Sequence, residues 1–370
     1  MDFLFSLLSR EYSGLVIAGV LLLIFVLLFR LSGGVIKQSL FGLLSLASLA
    51  LAIGAVTHLV RLASVKRDHP PPGQLVDVGG YQMHVLAEGP ESDAPPLVWL
   101  GGGHAGGLVM MHLHDMIKDR TRSVLVDRPG SGWSDVGPFP RTTALEVEEV
   151  LTALRTAGEA GPYIFAGHSF GGLLAINIAR RYPEETAAVA MLDATPLDVI
   201  FYGLDRTGLG TYRNSVITGG LRRLFGFYTT PPDNGAPMDA LFRLFTSAGQ
   251  SFSTASIFEE LTPEGLIDRA FETVVFDGEL GDLPLYLIAP GDDPTTQPYA
   301  EAVAGPGAKA DRFVAFLKAT RERYMDTTSN ATRIYTPEGT GHVFPDTVPE
   351  FVVATMLDIV DRHSNGTSVQ

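Results

Sequence analysis

The sequence predicts an α/β protein with a mostly parallel sheet, preceded by two helices that cross a membrane. Two long apolar runs near the start indicate the membrane helices. Short apolar runs that alternate with helical stretches indicate the sheet, because strands covered by helices on both faces are apolar throughout. The third observation is a tight Gly-rich turn between one such run and a helix, and this turn contains a candidate catalytic residue.

Residues 1–66 form the predicted membrane anchor. Residues 12–31 and 39–60 are each long enough, as a helix, to cross a hydrocarbon core about 30 Å thick. A cleaved signal peptide and a single span are the alternatives, and the second apolar run favours a hairpin of two spans over both. Four basic residues lie near the outer ends of the spans and two lie in the turn between them, so the positive-inside rule predicts a cytoplasmic soluble domain.

The soluble part of the chain is acidic. The whole chain has a net charge of −14, and residues 1–63 carry two more basic than acidic side chains, so residues 64–370 carry −16. Repulsion by phosphates then excludes a nucleic-acid partner. The chain has no cysteine, which excludes disulfides, thiolate metal sites and a thiol nucleophile.

Residues 74–370 form the predicted soluble domain, and residues 67–73, which contain three prolines, form a linker. A Gly-Gly turn predicts a hairpin at the start of this domain. Six apolar runs follow and predict strands at 96–100, 123–127, 163–167, 187–193, 284–289 and 332–338. Helices are predicted at 106–119, 143–158, 170–182, 310–325 and 347–363. Residues 195–281 break the alternation and are predicted to form a cap above the sheet.

The stretch YIFAGHSFGG contains the predicted nucleophile, Ser169. An apolar strand leads into G-x-S-x-G, and a helical pattern follows. A turn this tight requires small residues two before and two after the serine, and it lifts the hydroxyl clear of the sheet. The N-terminus of the following helix favours developing negative charge.

A serine needs a base to take its proton, and His342 is the predicted base. His342 lies in a Gly-rich loop after the last strand, and the carboxyl ends of parallel strands meet at one edge of a sheet. The acid that orients this histidine should follow another strand. Asp293 is the preferred acid, and Asp292 and Asp193 are the alternatives.

The stretch GGGHAGG also satisfies G-x-G-x-x-G, through Gly101, Gly103 and Gly106. Asp127 ends the next apolar run, about where a dinucleotide-binding fold places an acid for the ribose. Glycines in such a turn expose backbone N–H groups to an anion. The spacing alone does not say which anion.

With these motifs placed, residues 70–364 resemble the α/β-hydrolase superfamily. The matching stretches are VDVGGYQMHVLAEG, LVWLGGGHAGG, VLVDRPGSGWSD, GHSFGG, LIAPGDDP and EGTGH. The resemblance implies an eight-stranded, mostly parallel sheet with a helical cap, Ser169 as nucleophile and His342 as base. Epoxide hydrolases and haloalkane dehalogenases of this fold have an aspartate at the nucleophile position, so Ser169 argues against both.

The resemblance also implies an oxyanion hole, which replaces the dinucleotide interpretation. Its donors would be the N–H of Phe170 and that of Gly103, with His104 as the alternative second donor. Many relatives have His-Gly where this chain has Gly101-Gly102. Asp127 and Arg128 are then part of the loop architecture, and no cofactor is expected.

The expected function is that of a membrane-anchored serine hydrolase that cleaves a lipophilic carboxylic ester through an acyl-enzyme. The expected partners are this small-molecule ester and the lipid bilayer. The alternatives are an acyltransferase, an amidase or peptidase, or a perhydrolase on the same triad, and a non-catalytic binding protein with this fold. His112 and His114 lie on a predicted helix face without further ligands, so no metal is expected.

Overall fold

The computed structural model of the chain describes residues 2–103, 105–196, 207–228, 247–262, 265, 267 and 272–364. The predicted cap therefore lies partly outside the described residues.

An eight-stranded, mostly parallel sheet forms the centre of the soluble domain, as predicted. The strand order is β1-β2-β4-β3-β5-β6-β7-β8, with β2 antiparallel to both of its neighbours and the remaining pairs parallel. The strands are β1 Gln74–Asp77, β2 Gln82–Glu88, β3 Leu97–Leu100, β4 Ser123–Val126, β5 Tyr163–His168, β6 Thr186–Leu192, β7 Leu285–Ala289 and β8 Ala331–Tyr335.

The described α-helices cover the sheet and form the N-terminal segment. They are α1 Asp2–Leu8, α2 Ser13–Leu31, α3 Val35–Asp68, α4 Met111–Ile117, α5 Thr143–Thr156, α6 Phe170–Arg181, α7 Thr207–Leu224, α8 Ala248–Glu260, α9 Thr296–Ala304, α10 Ala308–Glu322, α11 Phe344–Thr347 and α12 Pro349–Ser364. The helix α3 continues through the first two residues of the predicted linker, because no proline interrupts it before Pro70.

Two apolar cores lie on opposite faces of the sheet. Alternate residues of β5 point to opposite faces, so Phe165 joins the core beneath α5 and α6 whereas Ile164 joins the core beneath α4 and α12. Every residue of β3 and β4 is buried, in agreement with the continuous apolar runs of the sequence. Because helices cover both faces of this sheet, the side chains that a substrate can reach lie at the ends of the strands.

The helices α2 and α3 form an antiparallel hairpin with exposed apolar side chains. Both are long and apolar enough to cross a membrane, and only 11% of the most apolar stretch of each is buried. A core helix of a soluble protein would be mostly buried. The two helices are therefore candidate membrane spans. The helix α2 nearly coincides with the predicted span 12–31, whereas α3 extends beyond the predicted span 39–60 at both ends.

Polar contacts join this hairpin to the cap. The imidazole of His58, which is 1% exposed, contacts a carboxylate oxygen of Glu11 at 2.5 Å through Nε2 and the hydroxyl of Tyr228 through Nδ1. The Glu11 carboxylate also accepts from the backbone N–H groups of Ala248 and Gly249, at 3.0 and 2.8 Å. The first N–H groups of a helix lack intrahelical acceptors, so Glu11 satisfies the N-terminus of α8.

Glycines allow the backbone of the hairpin to contact the backbone at the end of α7. A Cβ at Gly14 would overlap the carbonyl oxygen of Leu224, and one at Gly54 would overlap that of Phe225. Gly226, which has a φ of +76°, lies against the backbone of Gly54 in turn. Any larger residue at Gly54 has to push the cap away from the hairpin.

We therefore expect Gly54→Leu to destabilise the protein in detergent micelles. Overpacking at a closed contact costs about 1–3 kcal/mol. Gly19→Leu is the matched control, because nothing lies within 4 Å of a Cβ at Gly19 in the neighbouring helix. Thermal unfolding should show a lower Tm for Gly54→Leu and an unchanged Tm for Gly19→Leu. Equal melting temperatures would contradict the close contact.

Candidate active site

The carboxyl ends of the parallel strands place the candidate residues along one edge of the sheet. Ser169 follows β5 directly, and Asp193 follows β6 directly. His342 lies in the loop between β8 and α11. Strands β5, β6, β7 and β8 are neighbours in the sheet, so these loops converge on one place.

Ser169 has a backbone conformation that is rare outside glycine. Its φ is 51° and its ψ is −120°, and it is the N-cap residue of α6. The G-x-S-x-G glycines and Gly172 accommodate this turn: a Cβ at Gly171 would overlap the carbonyl oxygen of Leu100, and one at Gly172 would overlap the side chain of Ala194. The close approach explains the small residues of this motif.

His342 and Asp193 form a hydrogen-bonded pair. The Nδ1 atom of His342 lies 2.7 Å from Oδ2 of Asp193, whose side chain is 2% exposed. The carboxylate can only accept, so Nδ1 carries the proton and Nε2 keeps a lone pair. The His342 side chain is 45% exposed, which leaves Nε2 able to act as a base towards a substrate.

The preference for Asp293 as the partner of His342 is not what the structure shows. The carboxylate of Asp293 accepts from the backbone N–H and the hydroxyl of Thr295, both at 2.7 Å. This local turn holds the Asp293 carboxylate beside Gly341, whereas Nδ1 of His342 pairs with Asp193. Asp292 is 97% exposed and pairs with Lys318, whose ammonium lowers the pKa of that carboxyl. Asp193, the alternative acid, is the carboxylate that contacts His342.

His168, the first x of the G-x-S-x-G motif, contacts the loop that contains His342. Its Nε2 lies 2.9 Å from the backbone carbonyl oxygen of His342, and the two rings are 4.8 Å apart. Burial lowers the pKa of His168, which favours the neutral ring that donates this hydrogen bond. The sequence gives no signal for this role, because the contact joins residues that are far apart in the chain.

Arg128 holds the candidate oxyanion loop. Its Nη2 atom donates to the carbonyl oxygens of Gly101, Gly103 and Ala105 at 3.1, 2.7 and 2.8 Å. The same guanidinium lies 5.2 Å from the ring centroid of Phe170, the residue of the other proposed donor. One buried cation thus contacts both residues of the proposed oxyanion hole. The alternative donor, His104, lies outside the described residues.

Asp127 is packed beneath this loop. Its Oδ2 atom is 3.0 Å from Nδ1 of the buried His84 and accepts from the backbone N–H of Trp133 at 3.2 Å. A Cβ at Gly106 would overlap the Asp127 carboxylate. The acid is therefore part of the loop architecture and is not open to a ribose.

The histidines of α4 have protein partners. His114 is buried between the hydroxyl of Ser123 and the carboxylate of Glu88, both at 2.9 Å. Burial lowers the pKa of His114. Glu88, His114 and Asp115 could in principle hold a metal ion, but the ammonium of Lys118 lies 3.0 Å from Glu88 and 2.8 Å from Asp115. His112 contacts the backbone carbonyl oxygen of Pro345 at 3.0 Å.

Two known proteins are similar to part of this sequence. The protein YbdG of Bacillus subtilis is 32% identical over 138 residues, which cover 36% of this chain and 42% of that protein. The 2-(acetamidomethylene)succinate hydrolase of Mesorhizobium japonicum is 26% identical over 33% of this chain and 42% of its own length. The chain thus spans less than half the length of either relative.

A solved structure and a family profile cover far more of the chain. An epoxide hydrolase from Bacillus megaterium superposes with a TM-score of 0.57 at 16% identity, over 78% of this chain and all of the other, which shows a common fold. Residues 95–355 match the profile described as the alpha/beta hydrolase family. The chain belongs to the alpha/beta hydrolase family.

Proposed function

We propose that this hydrolase cleaves a carboxylic ester with Ser169 as nucleophile, His342 as general base and Asp193 as the acid that orients it. The observation that carries the proposal is the backbone at two of these residues. Among the residues that the structure describes, Ser169 and Asp193 are the non-glycine residues with a positive φ. Such conformations are costly and concentrate at functional sites.

The mechanism is a two-step acyl transfer. Nε2 of His342 takes the proton of Ser169 as the serine oxygen attacks the ester carbonyl, and the N–H groups of Phe170 and Gly103 stabilise the oxyanion. The leaving alkoxide takes the proton back from His342 and departs as an alcohol. His342 then activates a water molecule, which attacks the acyl-enzyme, releases the carboxylic acid and returns the proton to Ser169.

We further propose that the hairpin of α2 and α3 anchors the enzyme in a membrane, with residues 1–66 as the anchor and the catalytic domain on the cytoplasmic side. The contacts of Glu11 and His58 with the cap support a permanent anchor, because cleavage after the first span would remove the carboxylate that satisfies the N-terminus of α8. An enzyme held at the bilayer meets esters that partition into it, so a lipophilic ester is the proposed substrate.

The helix α8 connects this anchor to the catalytic turn. Its first residues contact Glu11, and Phe252 packs against Phe5 of α1 with ring centroids 6.0 Å apart. Near its other end, Phe258 lies 5.9 Å from the ring of Phe170. Part of the cap packs onto the proposed anchor, because Leu224 is buried with Phe5 and Phe252.

Ser169→Ala tests the nucleophile. We expect hydrolysis of a p-nitrophenyl ester to fall by at least about 10⁴-fold, because serine is the covalent nucleophile and residual catalysis by the oxyanion hole is small. Ser92→Ala is the matched control on the surface and should retain full activity. Full activity of Ser169→Ala would overturn the assignment.

Asp193→Asn and Asp293→Asn together identify the acid. Loss of the carboxylate that orients the base should reduce kcat by about 10⁴-fold in Asp193→Asn. Asp293→Asn should stay within about ten-fold of the wild-type protein, since its turn with Thr295 is local. Steady-state hydrolysis of the same ester provides the comparison. The reverse order of effects would return the role to Asp293.

Competing nucleophiles distinguish an esterase from an acyltransferase on the same triad. We expect the acyl group of a long-chain ester in lipid vesicles to appear mainly as free carboxylic acid, even when an alcohol or amine acceptor is added. Product analysis by mass spectrometry measures this partition. Transfer of most acyl groups to the added acceptor would contradict the proposed hydrolysis.

A further inference from the structure

An arginine that is only partly exposed contacts the carboxylate that we assign to the triad. Oδ2 of Asp193 faces His342, whereas Oδ1 lies 2.9 Å from Nε of Arg321. The two side chains are 2% and 14% exposed, so little water separates them. The contact is an ion pair with the carboxylate oxygen that does not face His342.

Arg321 comes from the last turn of α10, a helix that lies between β7 and β8 in the chain. The segment that follows contacts the same turn, because the buried Tyr324 hydroxyl donates to the carbonyl oxygen of Thr195. Arg321 and Tyr324 therefore both contact the turn at Asp193, where φ is 43°. These two contacts can stabilise the unfavourable positive φ of Asp193, which a loop without such contacts would not retain.

The positive charge also acts on the base. An imidazolium at His342 is stabilised by the negative charge of Asp193, and the guanidinium of Arg321 offsets part of that charge. The interaction is strong because the carboxylate is buried. Arg321 can therefore fix the orientation of the carboxylate and limit how strongly that carboxylate favours the protonated base.

We propose that Arg321 is a positioning residue of the catalytic triad, which fixes the Asp193 carboxylate against His342 and keeps the base unprotonated at lower pH. This inference rests on the proposed function. Other titratable groups face the same region and stay constant in the test: the ring of His168, Asp346 with its partner His112, and Asp293 beside Gly341.

The test compares Arg321→Met, Arg321→Lys and Lys318→Met in the full-length protein. Lys318→Met is the matched control, because it removes a surface ion pair with Asp292 from the same helix. The readouts are kcat and KM for a p-nitrophenyl ester and the pH profile of kcat/KM, whose acid limb reports protonation of the base. Circular dichroism checks folding.

We expect Arg321→Met to lower kcat by about ten- to a hundred-fold with little change in KM, because the carboxylate loses its fixed orientation. Its acid limb should move to higher pH by about one unit, since the imidazolium is no longer opposed by the arginine. Arg321→Lys keeps the charge and should restore the position of the acid limb. Lys318→Met should match the wild-type protein.

An unchanged acid limb in a folded Arg321→Met protein would overturn the inference, as would the same shift in Lys318→Met. If Arg321→Met does not fold, Arg321→Lys decides: a normal acid limb with reduced kcat supports the positioning role, and a wild-type kcat contradicts it. Failure of the proposed function would appear separately, as full activity of Ser169→Ala.

Discussion

Two backbone hydrogen bonds between the turns at Ser169 and Asp193 are the constraint on which the site depends. The N–H of Ser169 donates to the carbonyl oxygen of Leu192 at 3.1 Å, and the N–H of Thr195 donates to the carbonyl oxygen of Ser169 at 3.0 Å. Each turn thus stabilises the positive φ of the other. The proposed nucleophile and the proposed acid are linked through their backbones, and His342, in the loop after β8, contacts the carboxylate of Asp193.

Positively charged side chains contact the loops on either side of Ser169. The buried Arg128 donates to the carbonyl oxygens of the candidate oxyanion loop, and Arg321 forms an ion pair with the carboxylate of Asp193. The helix α8 contacts Glu11 and Phe5 of the N-terminal segment and, through Phe258, the ring of Phe170. The candidate membrane helices therefore contact the alpha/beta hydrolase core through the cap.

Much of the fold could be predicted because it follows from local patterns. The predicted strands and helices agree with the structure to within a few residues, since continuous apolar runs identify buried parallel strands. The helix α9 was missed, because Pro298 interrupts its pattern. Ser169 and His342 could be singled out because their flanking strand, turn and helix are contiguous in the sequence.

The choice of acid could not be made from the sequence. Asp193 and Asp293 both follow strands that end at the same edge, so position alone does not separate them. The difference is that Thr295 supplies local donors to Asp293, whereas Asp193 contacts partners from distant segments, His342 and Arg321. The contact of His168 with the His342 loop is also a long-range one, which one sequence cannot reveal.

Peptide mapping of the full-length enzyme after reaction with a fluorophosphonate tests the central claim most directly, because the reagent records which serine is activated by a base. The account predicts one adduct, on the peptide that contains Ser169, and no adduct after His342→Ala. An adduct on another serine, or ester hydrolysis without any adduct at Ser169, would contradict it.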